Sequence, residues 1–97
     1  MMARLLFREK FIYSDGSVRE MVLWRLPARS VRRSRGVKYR LYYGSAHGTS
    51  LVRYDNETGK GDHRHHGDRE DPYHFVDVDT LVRDFLADIA LLRGGTG

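Results

Sequence analysis

The sequence predicts an α+β fold in two layers, an antiparallel β-meander of four to five strands packed on one C-terminal α-helix. Three observations carry that class. Residues 4–56 hold four strand-like segments, two of which (18–26 and 37–44) alternate in side-chain character every second residue, with turn-forming residues between them. Residues 78–92 hold apolar side chains at three- and four-residue spacing instead. The strands come first and the helix last, so a sheet with one apolar face and a helix with one apolar stripe can cover each other.

The first strand is "RLLFREKFIY", 4–13, followed by the turn "SDGS", where Gly16 supplies the positive backbone angle of a tight hairpin. In "VREMVLWRL", 18–26, Val18, Glu20, Val22, Trp24 and Leu26 face one way, and Met21 and Leu23 sit among arginines on the other. Trp24 is accordingly read as core. Pro27 cannot donate to a ladder and ends this strand. "VKYRLYYG", 37–44, sets Val37, Tyr39, Leu41 and Tyr43 against Lys38, Arg40 and Tyr42. "SAHGTS" is turn chemistry and "LVRYDN", 51–56, is a fourth strand. "PYHFV", 72–76, reads as a short edge strand opened by Pro72. The helix begins at Asp77 or Asp79, either of which suits an N-cap. Its stripe is Val78, Leu81, Val82, Phe85, Leu86, Ile89 and Leu92, and Arg93 before Gly94 and Gly95 is a stop signal.

Ninety-seven residues form a single domain, 1–97, with 94–97 as a flexible tail. The apolar fraction is 40%, so the core is thin and a partner or a second copy of the chain (a homodimer) would add to stability. Without cysteine there is no disulfide and no thiolate zinc site. No signal peptide and no membrane span is expected, which reads as a cytoplasmic protein. The net charge of +4 is uneven: residues 28–40 carry Arg29, Arg32, Arg33, Arg35, Lys38 and Arg40 with no acid, and the rest sums to −2. Such a patch suits a phosphate backbone or an acidic partner, or else is a solvated loop.

Residues 54–70, "YDNETGKGDHRHHGDRE", hold three of the five histidines. As a metal site, Asp62, His63, His65 and His66 offer suitable donors, but the spacing matches no established ligand motif, and Lys60 and Arg64 oppose a cation. As an acid–base site, the segment "GKGDHRH" supplies every group that RNA cleavage without a metal needs. Histidine exchanges protons near neutrality, and lysine and arginine offset charge on the phosphate. Gly59 and Gly61 let the backbone approach a phosphate, and Asp62 can fix a histidine tautomer. As a polar loop, the segment does none of this. "GKGDH" lacks the full P-loop pattern.

"YRLYYG", "YDNETGKGDHRHHGDREDPYHF" and the terminal amphipathic helix resemble the TumE family of small toxins from prokaryotic toxin–antitoxin operons. The resemblance runs from "LLFREKFIYSDGSVREMVLWRLP" to the helix. Its most distinctive part is Tyr54, Asp55 and Asn56 followed by the His63-x-His65 pair. Many relatives carry a proline and a further His-His pair here, where this chain has Asp62-His63-Arg64-His65-His66. The resemblance implies a growth inhibitor with a DNA-binding antitoxin as partner and RNA as the expected target; no cofactor is expected.

On that reading His63 and His65 share the base and acid work, and Lys60 and Arg64 stabilise the transition state. Arg40 and Tyr42 meet substrate from the third strand, and Arg32, Arg33, Arg35 and Lys38 bind it. Asp55 and Asn56 shape the turn, with Gly59, Gly61 and Asp62 as structural residues of the site. His47 and His74 are read as solvated. The alternatives are a non-enzymatic nucleic-acid- or protein-binding module built on residues 28–40, and a metal site of His63, His65, His66 and Asp62.

Overall fold

The structure, a computed structural model, describes residues 3–27, 36–56 and 61–94. In chain order they form β1 (Arg4–Ile12), β2 (Val18–Arg25), β3 (Val37–Gly44), β4 (Ser50–Asp55), β5 (His63–His66), β6 (Arg69–Pro72) and α1 (Val78–Leu92). All the strands join one antiparallel sheet, and their order in space is their order in sequence. The class and the meander are those expected, but the sheet has six strands rather than four to five.

The additional strands come from the histidine segment. His63–His66 and Arg69–Pro72 pair across Gly67 and Asp68, a two-residue connection in which Gly67 has φ +60°. Residues 72–76, expected to open an edge strand, do the reverse. Pro72 closes β6, and residues 73–77 lead to the helix without strand pairing. A proline without an N–H suits the last position of an edge strand, where no further ladder bond is required.

The first hairpin closes as expected. Tyr13 N donates to Ser17 O (2.9 Å), and Gly16 takes φ +85°. Asp15 accepts from the Ser17 hydroxyl (2.6 Å) and from Ser17 N (2.9 Å). Those bonds, with Arg93 adding to them, pull the Asp15 carboxyl down to about 2. Arg93 Nη1 reaches Asp15 (2.8 Å), Ser17 (2.9 Å) and Tyr43 (3.2 Å), so the end of the helix is tied to the first turn.

Pairing decides which face of β2 is covered. Met21 lies opposite Leu41 and Leu23 opposite Tyr39, and residues directly paired across an antiparallel ladder share a face. Met21, Leu23, Val37, Tyr39, Leu41, Tyr43, Val52 and Tyr54 are buried against Leu81, Phe85 and Ile89 of α1. Each large side chain fully buried there stabilises the fold by about 1.5–3 kcal/mol. Trp24 therefore lies on the other face, half-buried and outside this core, which corrects the expectation drawn from its apolar neighbours. The helix starts where Asp77 accepts from Thr80 N (2.7 Å). Leu92, expected on its buried stripe, is exposed. Among the described residues no helix is long and apolar enough to cross a membrane.

Candidate active site

Among the described residues, the sheet has one face under the helix and one open face. Strand alternation divides the four residues of β5 between them. Arg64 pairs with Tyr54 and His66 with Val52, both core residues, so Arg64 and His66 face the helix. His63 pairs with Asp55 and His65 with Arg53, so the two imidazoles share the open face. Their ring centroids are 6.5 Å apart.

Neighbouring strands supply the groups around them. Glu70 of β6 accepts a hydrogen bond from His63 Nδ1 (2.8 Å), which puts a proton on that nitrogen and leaves Nε2 for other chemistry. Glu70 is 3.6 Å from His65 Nε2, too long for a hydrogen bond. The partner of His65 is Arg53 of β4, with Nη2 3.1 Å from His65 Nε2. A guanidinium only donates, so His65 Nε2 accepts and its ring proton sits on Nδ1. Arg53 Nε lies 3.0 Å from Asp55 Oδ2. On β3, Arg40 lies opposite Asp55 and Tyr42 opposite Arg53, which continues the same polar surface. The Arg40 guanidinium is 5.5 Å from the Tyr42 ring centroid. The Tyr42 ring lies along Gly44, where a Cβ would overlap its hydroxyl. A larger residue there would have to displace the end of that ring.

The remaining expected residues are placed as follows. Arg64 is on the helix side, its guanidinium 5.8 Å from the Tyr54 ring centroid, and its bond to Tyr54 raises its pKa. It does not join the histidine pair; Arg53 is the arginine that does. His66 Nε2 bonds Asp88 Oδ2 of α1 (2.8 Å), and Tyr54 Oη donates to the same carboxylate oxygen. Asp62 accepts from Tyr39 Oη (2.6 Å) and touches neither His63 nor His65 through that bond. Asn56, 1% exposed, accepts from Tyr39 N (2.9 Å) and donates to Val37 O (2.7 Å), so it clasps the start of β3. Asp55 pairs with Arg53 within β4. Lys38 and Arg40 are exposed on the open face, and Gly61 has φ +74°. Lys60, Gly59, Arg32, Arg33 and Arg35 lie outside the described residues.

The metal alternative finds no support in this arrangement. His66 faces away from His63 and His65, and the described residues contain no group of three or more side chains placed to hold an ion. Arg53, Glu70 and Asp88 were not among the residues expected from sequence. Glu70 was within reach: a two-residue turn at Gly67-Asp68 sets His65 opposite Glu70 by counting outward. Arg53 was signalled by its even spacing from Asp55.

The described residues thus form a small α+β protein whose open sheet face carries two imidazoles, each beside a charged neighbour. The chain belongs to the TumE toxin family, whose model, described as toxin TumE, matches residues 2–93. Comparison with curated proteins and with solved structures gives no match.

Proposed function

We propose that this protein is the toxin of a prokaryotic toxin–antitoxin pair and that it cleaves RNA by metal-independent acid–base chemistry at His63 and His65. The observation that carries this reading is the shared sheet face of the two rings, 6.5 Å apart, beside the Arg53 guanidinium. One imidazole takes the proton of a ribose 2′-hydroxyl as its oxygen attacks the adjacent phosphorus. The bond from phosphorus to the 5′-oxygen breaks, and the other imidazole protonates that leaving oxygen. The products are a 2′,3′-cyclic phosphate and a free 5′-hydroxyl. Arg53, with Arg40 further along the face, offsets the charge that builds on the phosphate oxygens. Glu70 acts through His63, holding its tautomer and ring plane.

Family membership supports an antitoxin as partner. An antitoxin that presents acids to the open face would neutralise its cations and cover the histidines together.

Expression of His63→Gln and His65→Gln in a sensitive host, with RNA cleavage by the purified proteins, tests the proposal. Each substitution lowers cleavage by about a hundredfold or more and relieves growth arrest, while the circular dichroism spectrum is kept. Cleavage by the parent persists in a chelator. If both variants stay folded and as toxic as the parent, the acid–base assignment is wrong. Loss of toxicity on neutralising Arg32, Arg33 and Arg35 alone would then favour the binding-module reading.

A further inference from the structure

We infer that the open face between the histidine pair and Trp24 is a track for single-stranded RNA, on which Trp24 stacks a base and Lys38 and Arg40 hold the backbone. This rests on the RNA reading above and adds where the substrate lies and in what form.

The chain has one tryptophan, and it is not in the core. Trp24 pairs with Lys38 on β3, and two residues along the same ladder Val22 pairs with Arg40. On β1, Arg8 pairs with Val22 and Lys10 with Glu20, so both of these cations also face the open side. Two rows of side chains thus run across the sheet. One passes from Arg8 through Val22, Arg40 and Asp55 to His63, and the other from Lys10 through Glu20, Tyr42 and Arg53 to His65. Trp24 lies just beyond the first row. Adjacent strands are spaced by roughly 4.8 Å, so from β2 to β5 is about 14 Å, a span that a few extended nucleotides cover.

The chemistry along that span alternates as a single strand requires. Cations at Arg8, Lys38, Arg40 and Arg53 follow a backbone, and an indole offers a flat apolar surface to any unstacked base. A duplex keeps its bases stacked inside and cannot offer one to Trp24. The acids on this face do not close the track. Asp55 is paired with Arg53, Glu70 with His63, and Glu20 lies between Lys10 and Tyr42. No described element packs on this side, since α1 occupies the other.

The single tryptophan makes the test direct. The full chain carrying His63→Ala and His65→Ala is titrated with a single-stranded oligonucleotide of about ten nucleotides. Binding is followed by anisotropy of a labelled strand, and base contact by Trp24 emission with the same strand unlabelled. The expected result is a rise in anisotropy and quenching of emission at one midpoint. Trp24→Ala weakens binding by about tenfold and Trp24→Phe by much less, within the range of base–aromatic stacking. Lys38→Glu lowers affinity and flattens its salt dependence. A duplex of equal length competes poorly. Anisotropy that rises with emission unchanged would overturn the track and leave the RNA reading standing, whether or not Trp24→Ala folds. No rise with any RNA would overturn both.

Discussion

His65 and His66 are adjacent in sequence, yet alternation gives them different surroundings. His65 meets Arg53 on the open face (3.1 Å), and His66 meets Asp88 under the helix (2.8 Å). Asp88 also accepts from Tyr54, whose side chain is fully buried, so His66 belongs to a network that fastens β4 and β5 to α1. His66→Ala is therefore expected to lower stability by about 1 kcal/mol, the net value of a hydrogen bond to a charged group discounted for the partial exposure of both partners. The midpoint of urea unfolding measures this. Cleavage per folded molecule stays at the parent level. His65→Ala does the opposite, removing cleavage with a smaller change in midpoint. A loss of cleavage in folded His66→Ala as large as in His65→Ala would move the reaction to the helix side of the sheet. Asn56 acts at the same scale without chemistry: its amide matches one donor and one acceptor of β3 that would otherwise be buried without partners.

The β5–β6 hairpin holds the histidine face together, and its turn depends on backbone conformation alone. Gly67 has φ +60°, and a Cβ there would meet nothing within 4 Å. Any loss on substitution therefore comes from the left-handed backbone, not from a clash. Gly67→Val is expected to cost about 1–2 kcal/mol and Gly67→Asn less, because asparagine enters that region more readily. Thermal unfolding of the two variants checks the order, and equal losses would mean that the turn conformation is not what glycine supplies. Cleavage falls with the valine change too, since Glu70 orients His63 only while β6 is paired.

This hairpin also marks where the sequence was readable and where it was not. β3 and α1 were legible because apolar side chains recur with one clear period, and the first hairpin because two strand-like runs flank the turn at Gly16. β5 is "HRHH", with no apolar residue to reveal a period, and only Gly67-Asp68 disclosed a turn. The face of β2 was undecidable from β2 itself, since both Met21/Leu23 and Val22/Trp24 are apolar; the pairing with Leu41 and Tyr39 resolves it. The histidine pair was legible from its two-residue spacing. The position of Arg64 was not, because a loop reading carries no faces and so allowed Arg64 to point with its neighbours.

Across the whole molecule the sheet separates two kinds of electrostatics. The open face is cationic around its imidazoles. The covered face instead joins phenols to carboxylates: Tyr39 to Asp62 (2.6 Å), Tyr73 to Asp84 (2.7 Å) and Tyr54 to Asp88. The last two bonds reach from the sheet and its following segment to α1. Burial pushes all three phenols above their ordinary pKa, and the accepting carboxylates push them further in the same direction. The folded state therefore holds these protons more tightly than the unfolded chain does. Its contribution from them is complete below the unfolded phenol value near 10 and is lost as pH rises toward the folded values. Alkaline titration is expected to release the protons of Tyr39, Tyr54 and Tyr73 together with loss of the sheet's circular dichroism. Single Tyr→Phe variants identify each contribution by difference in phenolate absorbance. In each, the variant keeps an apolar ring but removes one donor from a carboxylate, so the neutral-pH stability falls while the alkaline dependence becomes shallower. If the difference spectra show all three phenols ionising while the dichroism is still intact, the Tyr54 and Tyr73 bonds do not hold the helix to the sheet, and apolar packing with the His66 and Arg93 contacts secures it.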